Sequence, residues 1–427
     1  MIRLDPAGSG PIAGRGGDSE DTEVGSRRGS FFPDGVGNPR VNRRTILATA
    51  GGALSATVAG CAGVLDESGD DDLAVEEVAA GFEHPWSLSV VPDDGRLLVT
   101  EREGALSVLD PDDGDVEDVD GAPDVHAEGQ GGLLDAAFHP EFPDEPWLYL
   151  TYATANGDGE STTALGRGEL DPETGSLEEF EELYVVEPLL DATDHYGSRI
   201  VFGEDGTAYV TVGDRGSKEF GPDHVSQDTT TAIGSTLRLE PDGSIPDDNP
   251  FLDDEDVLDE LYSYGHRNAQ GMTVHPETGE LWQSEHGEED GDMLRIVEEG
   301  ADHGWPIAHY GCEYGTDEPV GDEFDDRDDV VDPVYYWECN SGGFPPAGMT
   351  FSEGDAVEEW EGDLFVGNLA GEYLGRFSVD GTDVEEVDPL LDGREWRIRD
   401  VVTHPDSGAL YVAVDDADAP IVRLTPE

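Results

Sequence analysis

Lysine is all but missing. Lys218 is the only one in 427 residues, and the other members of the 22 basic residues are arginines. Against them stand 100 Asp and Glu, giving a formal charge of −78. A surface this acidic repels nucleic-acid phosphates and anionic lipid, so both drop out as partners. Dense carboxylates with almost no lysine suit a protein working in concentrated salt, where at about 1 M the screening length shrinks to roughly 3 Å and self-repulsion is muted. The charge runs along the whole chain and is not gathered in a tail, and 36% hydrophobic with 8% aromatic residues is enough for a core, which excludes a disordered acidic chain. Cysteine is scarce, with three in total. No apolar run approaches the ~20 residues of a membrane-spanning helix. No Gly-x-Gly-x-x-Gly opens a βαβ unit, and no Gly-x-Ser-x-Gly elbow is present, which removes the nucleotide-binding fingerprint and the common serine-hydrolase signature.

What is present begins with an address. Residues 1–60 hold seven Arg and six acidic residues, unlike the rest of the chain. Arg43-Arg44 is followed by a small-residue run from Thr45 to Gly60, ending Val58-Ala59-Gly60-Cys61. This reads as a twin-arginine export signal closed by a lipobox, with Cys61 as the lipidated residue and the lipid as the only membrane attachment. Residues 1–40 are long for a leader, and translation is expected to begin at Val41. Residues 61–77, with the acidic stretch Asp66–Asp72, form a tether. The remaining cysteines, Cys312 and Cys339, suit a disulfide outside the cell, with two buried thiols as the alternative.

From residue 78 to 427 one phrase recurs: an apolar strand, a Pro/Asp/Gly turn, and a second strand. Its six copies are Leu88–Val99, Ala136–Leu150, Ile200–Val210, Met272–Trp282, Met349–Val366 and Val401–Val412. Period-2 strands joined by such turns are hairpins, and six of them at roughly 50–75-residue spacing predict an all-β, six-bladed β-propeller. His139, His275 and His404 each precede a proline at the same hairpin position and are read as turn residues. His195, His266 and His286 fall outside that register.

Seven of the arginines after Cys61 (Arg199, Arg215, Arg238, Arg267, Arg394, Arg397 and Arg399) gather in a few glycine-rich segments beside the repeats. In Arg397-Ile398-Arg399, strand alternation places both guanidiniums on one face, which suits a planar ligand bearing carboxylates. Asp194-His195 precedes the third hairpin and Asp214 ends it. Hairpin closure should therefore bring His195 beside Asp214, the arrangement of an oriented general base. Tyr264–Gly271 concentrates donors in Arg267, Asn268 and Gln270, and Glu285–Asp292 is a turn rich in carbonyls and carboxylates, oxygen chemistry that favours Ca²⁺ over zinc.

These segments resemble the soluble pyrroloquinoline-quinone (PQQ)-dependent aldose (glucose/sorbosone) dehydrogenases over residues 80–425. The motifs that carry the resemblance, in order, are Pro85-Trp86, Gly129-Gln130-Gly131-Gly132, Asp194–Arg199, Gly213–Gly216, Gly265–Gly271, Gly304-Trp305-Pro306 and Arg397–Asp400. The resemblance implies a cleft in which His195, oriented by Asp214, takes the proton of the anomeric hydroxyl while hydride passes from C1 to the quinone. Arg267, Asn268, Gln270, Arg397 and Arg399 would bind the quinone, with Arg267 also polarising its oxygens. Gln130 and Asp194 would line the substrate side, and the main-chain carbonyls of Gly287 and Glu288 would hold Ca²⁺. Two positions depart from the family pattern: Glu288 stands where proline is usual, and the cofactor lysine of the glucose-oxidising branch is replaced near Ala370. The sequence names a sugar as substrate and no particular electron acceptor. Two other readings remain open, a metal-dependent sugar lactonase and a non-catalytic saccharide-binding propeller.

Overall fold

The computed structural model describes residues 73–352 and 357–426. Among them the regular elements are strands, apart from two single-turn 3₁₀ segments, Val225–Gln227 and Phe324–Asp326. The strands form six antiparallel four-stranded sheets. Five are built from consecutive strands, within residues 85–118, 133–185, 197–264, 269–336 and 346–386, and are here called blades 1 to 5. Blade 6 takes three strands from residues 398–426, and its outer strand is the N-terminal Leu73–Phe82, paired antiparallel with Ala419–Pro426. Residues 73–77, assigned to the tether by sequence, therefore belong to the propeller, because Val75 packs inward with blade 6. The innermost strands of neighbouring blades pack together all the way round, with blade 6 against blade 1. The fold is a six-bladed β-propeller.

Each of the six expected hairpins is the inner strand pair of one blade. Their turns lie at one face, where His139, His275 and His404 accept backbone N–H groups through Nδ1, as turn residues. At the other face every innermost strand breaks register near its start, for example between Gly197 and Ile200, Ala269 and Gly271, and Ile398 and Asp400. A bulge re-aims side chains and leaves ladder groups unpaired. Hydroxyls repair part of this. Thr100 Oγ1 donates to Leu134 O at 2.6 Å, Thr151 to Ser198 O at 2.5 Å, Thr211 to Ala269 O at 2.9 Å and Ser284 to Ala347 O at 2.8 Å, each crossing to the next blade.

Carboxylates and one guanidinium repair the rest. Asp400 Oδ2 accepts Leu88 N and Asp135 Oδ2 accepts Ile200 N, both at 2.8 Å. Arg199 then bonds Asp135 at 3.1 Å and Asp400 at 3.2 Å, donates to Gln270 O at 3.1 Å and lies 4.6 Å from the Trp86 ring. It touches blades 1, 2, 4 and 6 from blade 3, fully enclosed.

Breaking a buried pair leaves the partner charge uncompensated, at a cost of about 3–5 kcal/mol. Arg199→Met should lose about that much stability in equilibrium denaturation, while a loss under 1 kcal/mol would mean the pair does not carry the channel.

Candidate active site

Antiparallel pairing of Gly197 with Val212 brings the two ends of the blade 3 hairpin together. His195 enters that pair with φ +50°, and Gly197 follows at φ +65°, where a side-chain Cβ would sit 2.7 Å from Gly213 N. The chain thus doubles back tightly enough to put His195 Nδ1 2.6 Å from Asp214 Oδ1. Asp214 is wholly buried and also accepts Gly216 N at 2.9 Å and Trp305 Nε1 at 2.8 Å. Burial pushes its pKa up, but the hydrogen bond and charge of His195 and the charge of Arg267 outweigh it, and the carboxyl stays below its ordinary range. With Nδ1 committed, Nε2 is the nitrogen His195 can offer to the cleft. Burial first, and then the Arg267 charge, hold the ring below its usual pKa despite Asp214, so at neutral pH it is an unprotonated base.

Arg267 leads from blade 3 into blade 4. Its N–H donates to Glu285 Oε1 at 2.7 Å, its Nη1 to His286 O at 3.2 Å and its Nη2 to Glu288 Oε2 at 2.8 Å, and its guanidinium lies 5.3 Å from the Trp305 ring. Lys218 Nζ reaches both Glu288 oxygens at 2.6 Å. The Glu288 side chain therefore bridges the chain's single lysine to Arg267, a role the sequence did not suggest.

These groups meet in a cleft of about 240 Å³. Of the residues expected there, Gln130, His195, Arg267, Asn268, Gln270, Arg397 and Arg399 line it, and Asp214 stands directly behind His195. Gln130 Oε1 accepts His195 N, and Asn268 Oδ1 accepts Gly197 N, so both also hold the His195 turn. Gln270 Oε1 accepts from Arg399 Nη1 at 3.0 Å and lies 3.1 Å from His286 Nε2. Asp415 Oδ2 takes Arg399 at 2.6 Å and Arg397 at 3.7 Å, while its other oxygen meets His84 Nδ1 at 2.8 Å. Burial works against it, but Arg399 and His84 hold the Asp415 carboxyl well below the usual range.

Trp86, Arg102, His286, Tyr314, Leu369 and Asp415 also line the cleft, and sequence reasoning gave none of them a role there. Asp194 does not line it. It is exposed, and its carbonyl accepts Arg215 Nη1 at 2.8 Å. Of the other clustered arginines, Arg215 stacks on Tyr196, Arg238 pairs with Asp205 and Asp248 on blade 3, and Arg394 lies over Trp396, none of them in the cleft. His266 is held between Ser263 and Glu285.

Gly287 and Glu288, the positions expected to offer carbonyls to Ca²⁺, sit on the connection between the second strand of blade 4, Leu281–Glu285, and its third, Met293–Ile296. Gly287 N donates there to Asp292 Oδ1 at 2.9 Å. Neither residue lines the cleft, and no three His, Cys, Asp or Glu side chains converge to hold a metal among the described residues. Cys312 and Cys339 are disulfide-bonded, securing the segment that carries Tyr314. Cys61 and the export segment lie outside the described residues.

The electrostatics fit a polyanion. Four guanidiniums (Arg102, Arg267, Arg397 and Arg399) face one carboxylate in the lining, and the Nε atoms of Arg102, Arg267 and Arg399 are buried without a hydrogen-bond partner. Residues present and donors unsatisfied thus suit a flat, multiply carboxylated quinone.

Comparison with known proteins agrees. Residues 82–423 match the family model described as glucose/sorbosone dehydrogenase. An aldose sugar dehydrogenase of Escherichia coli is 34% identical over 352 residues, 82% of this chain and 92% of its own. Quinoprotein glucose dehydrogenase B of Acinetobacter calcoaceticus is 28% identical over 80% of this chain and 85% of its own. The apo-form structure of the soluble E. coli aldose sugar dehydrogenase superposes with a TM-score of 0.77 at 34% identity, covering 83% of this chain and 100% of that one. The PQQ-bound structure of an aldose sugar dehydrogenase from Streptomyces coelicolor gives 0.66 at 27% identity, covering 83% and 98%.

Asp214 raises the His195 pKa, so Asp214→Asn should lower it further. Imidazole NMR across pH should show His195 titrating below 6.5 in the parent and lower still in the variant; an equal or higher value in the variant would contradict the assignment. Because the folded ring favours its neutral form, its contribution to stability is present above about pH 6.5 and is lost as pH falls through the folded pKa.

Proposed function

The chain belongs to the glucose/sorbosone dehydrogenase family, and on that premise we propose that it oxidises aldose sugars to lactones with PQQ as cofactor and His195 as general base. The observation that carries the reading is the meeting, in one cleft, of the Asp214-oriented His195 with the guanidiniums of Arg267, Arg397 and Arg399. PQQ, when bound, supplies the acceptor for the hydride leaving C1.

The chain's own residues account for the rest. His195 Nε2 takes the proton of the anomeric hydroxyl, and Asp214 holds the ring in the tautomer that leaves Nε2 free and stabilises the imidazolium that forms. Arg267, enclosed and 2.8 Å from Glu288, keeps a fixed positive charge next to the base, where negative charge develops on the acceptor side. Asn268 and Gln130 hold the His195 turn in place. Arg397 and Arg399 would grip cofactor carboxylates, prealigned by Asp415. We assign Ca²⁺ to the main-chain carbonyls of Gly287 and Glu288, supported by an all-oxygen donor set on that turn. A lactonase-type metal centre, held by side-chain carboxylates and Asn, has no need of the Arg397 and Arg399 guanidiniums that line the cleft.

The same proposal covers cell biology. Arg43-Arg44 and Cys61 support twin-arginine export and lipid anchoring at the outer face of the cytoplasmic membrane, and the disulfide suits an oxidising compartment. The charge of −78 with one lysine supports a life in concentrated salt.

Reconstitution of the apoprotein with PQQ and Ca²⁺ should give dye reduction with one or more aldoses. His195→Ala should cut kcat by about 10²–10⁴-fold while PQQ affinity stays within about twofold. Lactone hydrolysis supported by metal alone, with no sugar oxidised, would overturn the proposal.

A further inference from the structure

Arg102 lies in the turn after the second strand of blade 1, and its backbone is fixed on both sides. Its N–H donates to His84 O at 3.2 Å, its carbonyl accepts Leu133 N at 3.1 Å, and a Cβ on Gly132 would lie 1.9 Å from that carbonyl. The side chain lines the cleft, with Nε buried and unpartnered. Among the described residues it makes no hydrogen bond, no ion pair within 4.0 Å and no ring contact.

That isolation sets it apart. Arg267, Arg397 and Arg399 each reach a carboxylate, and Arg215 and Arg394 have carbonyl or aromatic partners. In a chain with 100 acidic residues to 22 basic, an unpaired guanidinium does not reflect a shortage of anions. Asp415, the carboxylate of the lining, is already taken by Arg399 and His84. Burial, and the nearby Arg399 and Arg397, push the Arg102 pKa down against the pull of Asp415, the signature of a cation held without its counter-ion.

We propose that Arg102 is a carboxylate-binding subsite of the cleft, a fork waiting for one carboxylate of a bound ligand. The subsite stands on the geometry alone. Which ligand brings the carboxylate rests on the oxidoreductase reading and has two sources: a cofactor carboxylate not held by Arg397 and Arg399, or the C6 carboxylate of a uronic acid substrate. A guanidinium takes a carboxylate through two parallel N–H···O bonds, which a glutamine cannot reproduce and a lysine reproduces only as a point charge.

The test compares the parent, Arg102→Gln and Arg102→Lys at one fixed salt concentration, with thermal unfolding confirming that the variants fold. The first arm titrates benzene-1,3,5-tricarboxylate by calorimetry and needs neither quinone nor sugar. Binding should weaken about tenfold in Arg102→Gln, with Arg102→Lys intermediate. Equal affinities, or no binding by the parent, overturn the subsite. The second arm reads the source. PQQ affinity by fluorescence titration that falls about tenfold in Arg102→Gln assigns the subsite to the cofactor. Unchanged PQQ affinity, with the KM for glucuronate rising about tenfold relative to that for glucose, assigns it to the substrate. If the parent binds no PQQ and oxidises no aldose while the tricarboxylate arm still responds, the oxidoreductase reading falls and the subsite survives.

Discussion

The guanidinium of Arg199 is the point on which the channel rests. The cleft needs side chains turned inward, and the six register breaks at the start of the innermost strands turn them: Trp86, Gln270 and Arg399 all sit at such breaks. A bulge strips ladder partners from backbone N–H groups, and an enclosed N–H without a partner costs as much as a lost hydrogen bond. Asp135 and Asp400 satisfy two of them. Two enclosed carboxylates then need a cation: burial lifts the Asp135 pKa to about 6 even with Arg199 beside it. An apolar core could fill this volume at lower electrostatic cost, but it could not bond those amides.

This part of the channel therefore sets one guanidinium against two carboxylates, while the cleft keeps positive charge in excess. That contrast matters in a protein whose outer surface carries so many carboxylates. Arg267 and Lys218 share Glu288, and Arg397 and Arg399 share Asp415, so the anions inside align the cations without cancelling them. Burial first, and then the Arg267 charge, lower the His195 pKa, which keeps the ring neutral and able to accept a proton.

The propeller was legible because hairpin pairing is local: each repeat contains both of its strands, and the His195–Asp214 pair follows from strand register across 19 residues. What escaped notice lies across blades. Trp305 reaches Asp214 over 91 residues, and Arg399 reaches Gln270 over 129. A signal for the missed lining residues was nonetheless in the repeat. Aligning Thr100, Ser284, Gly367 and Ala413 as one second-strand position puts Arg102, His286, Leu369 and Asp415 two residues after them, all four in the cleft. Asp194, one residue before His195, is exposed and does not line the cleft.

Blade 6 joins the strand Leu73–Phe82 to the strand Ala419–Pro426. The ring is sealed by pairing the first described strand with the last, so it cannot close until both have been made, however many blades have already formed. Circularity of this kind ties a change in either of these two strands to the same seam.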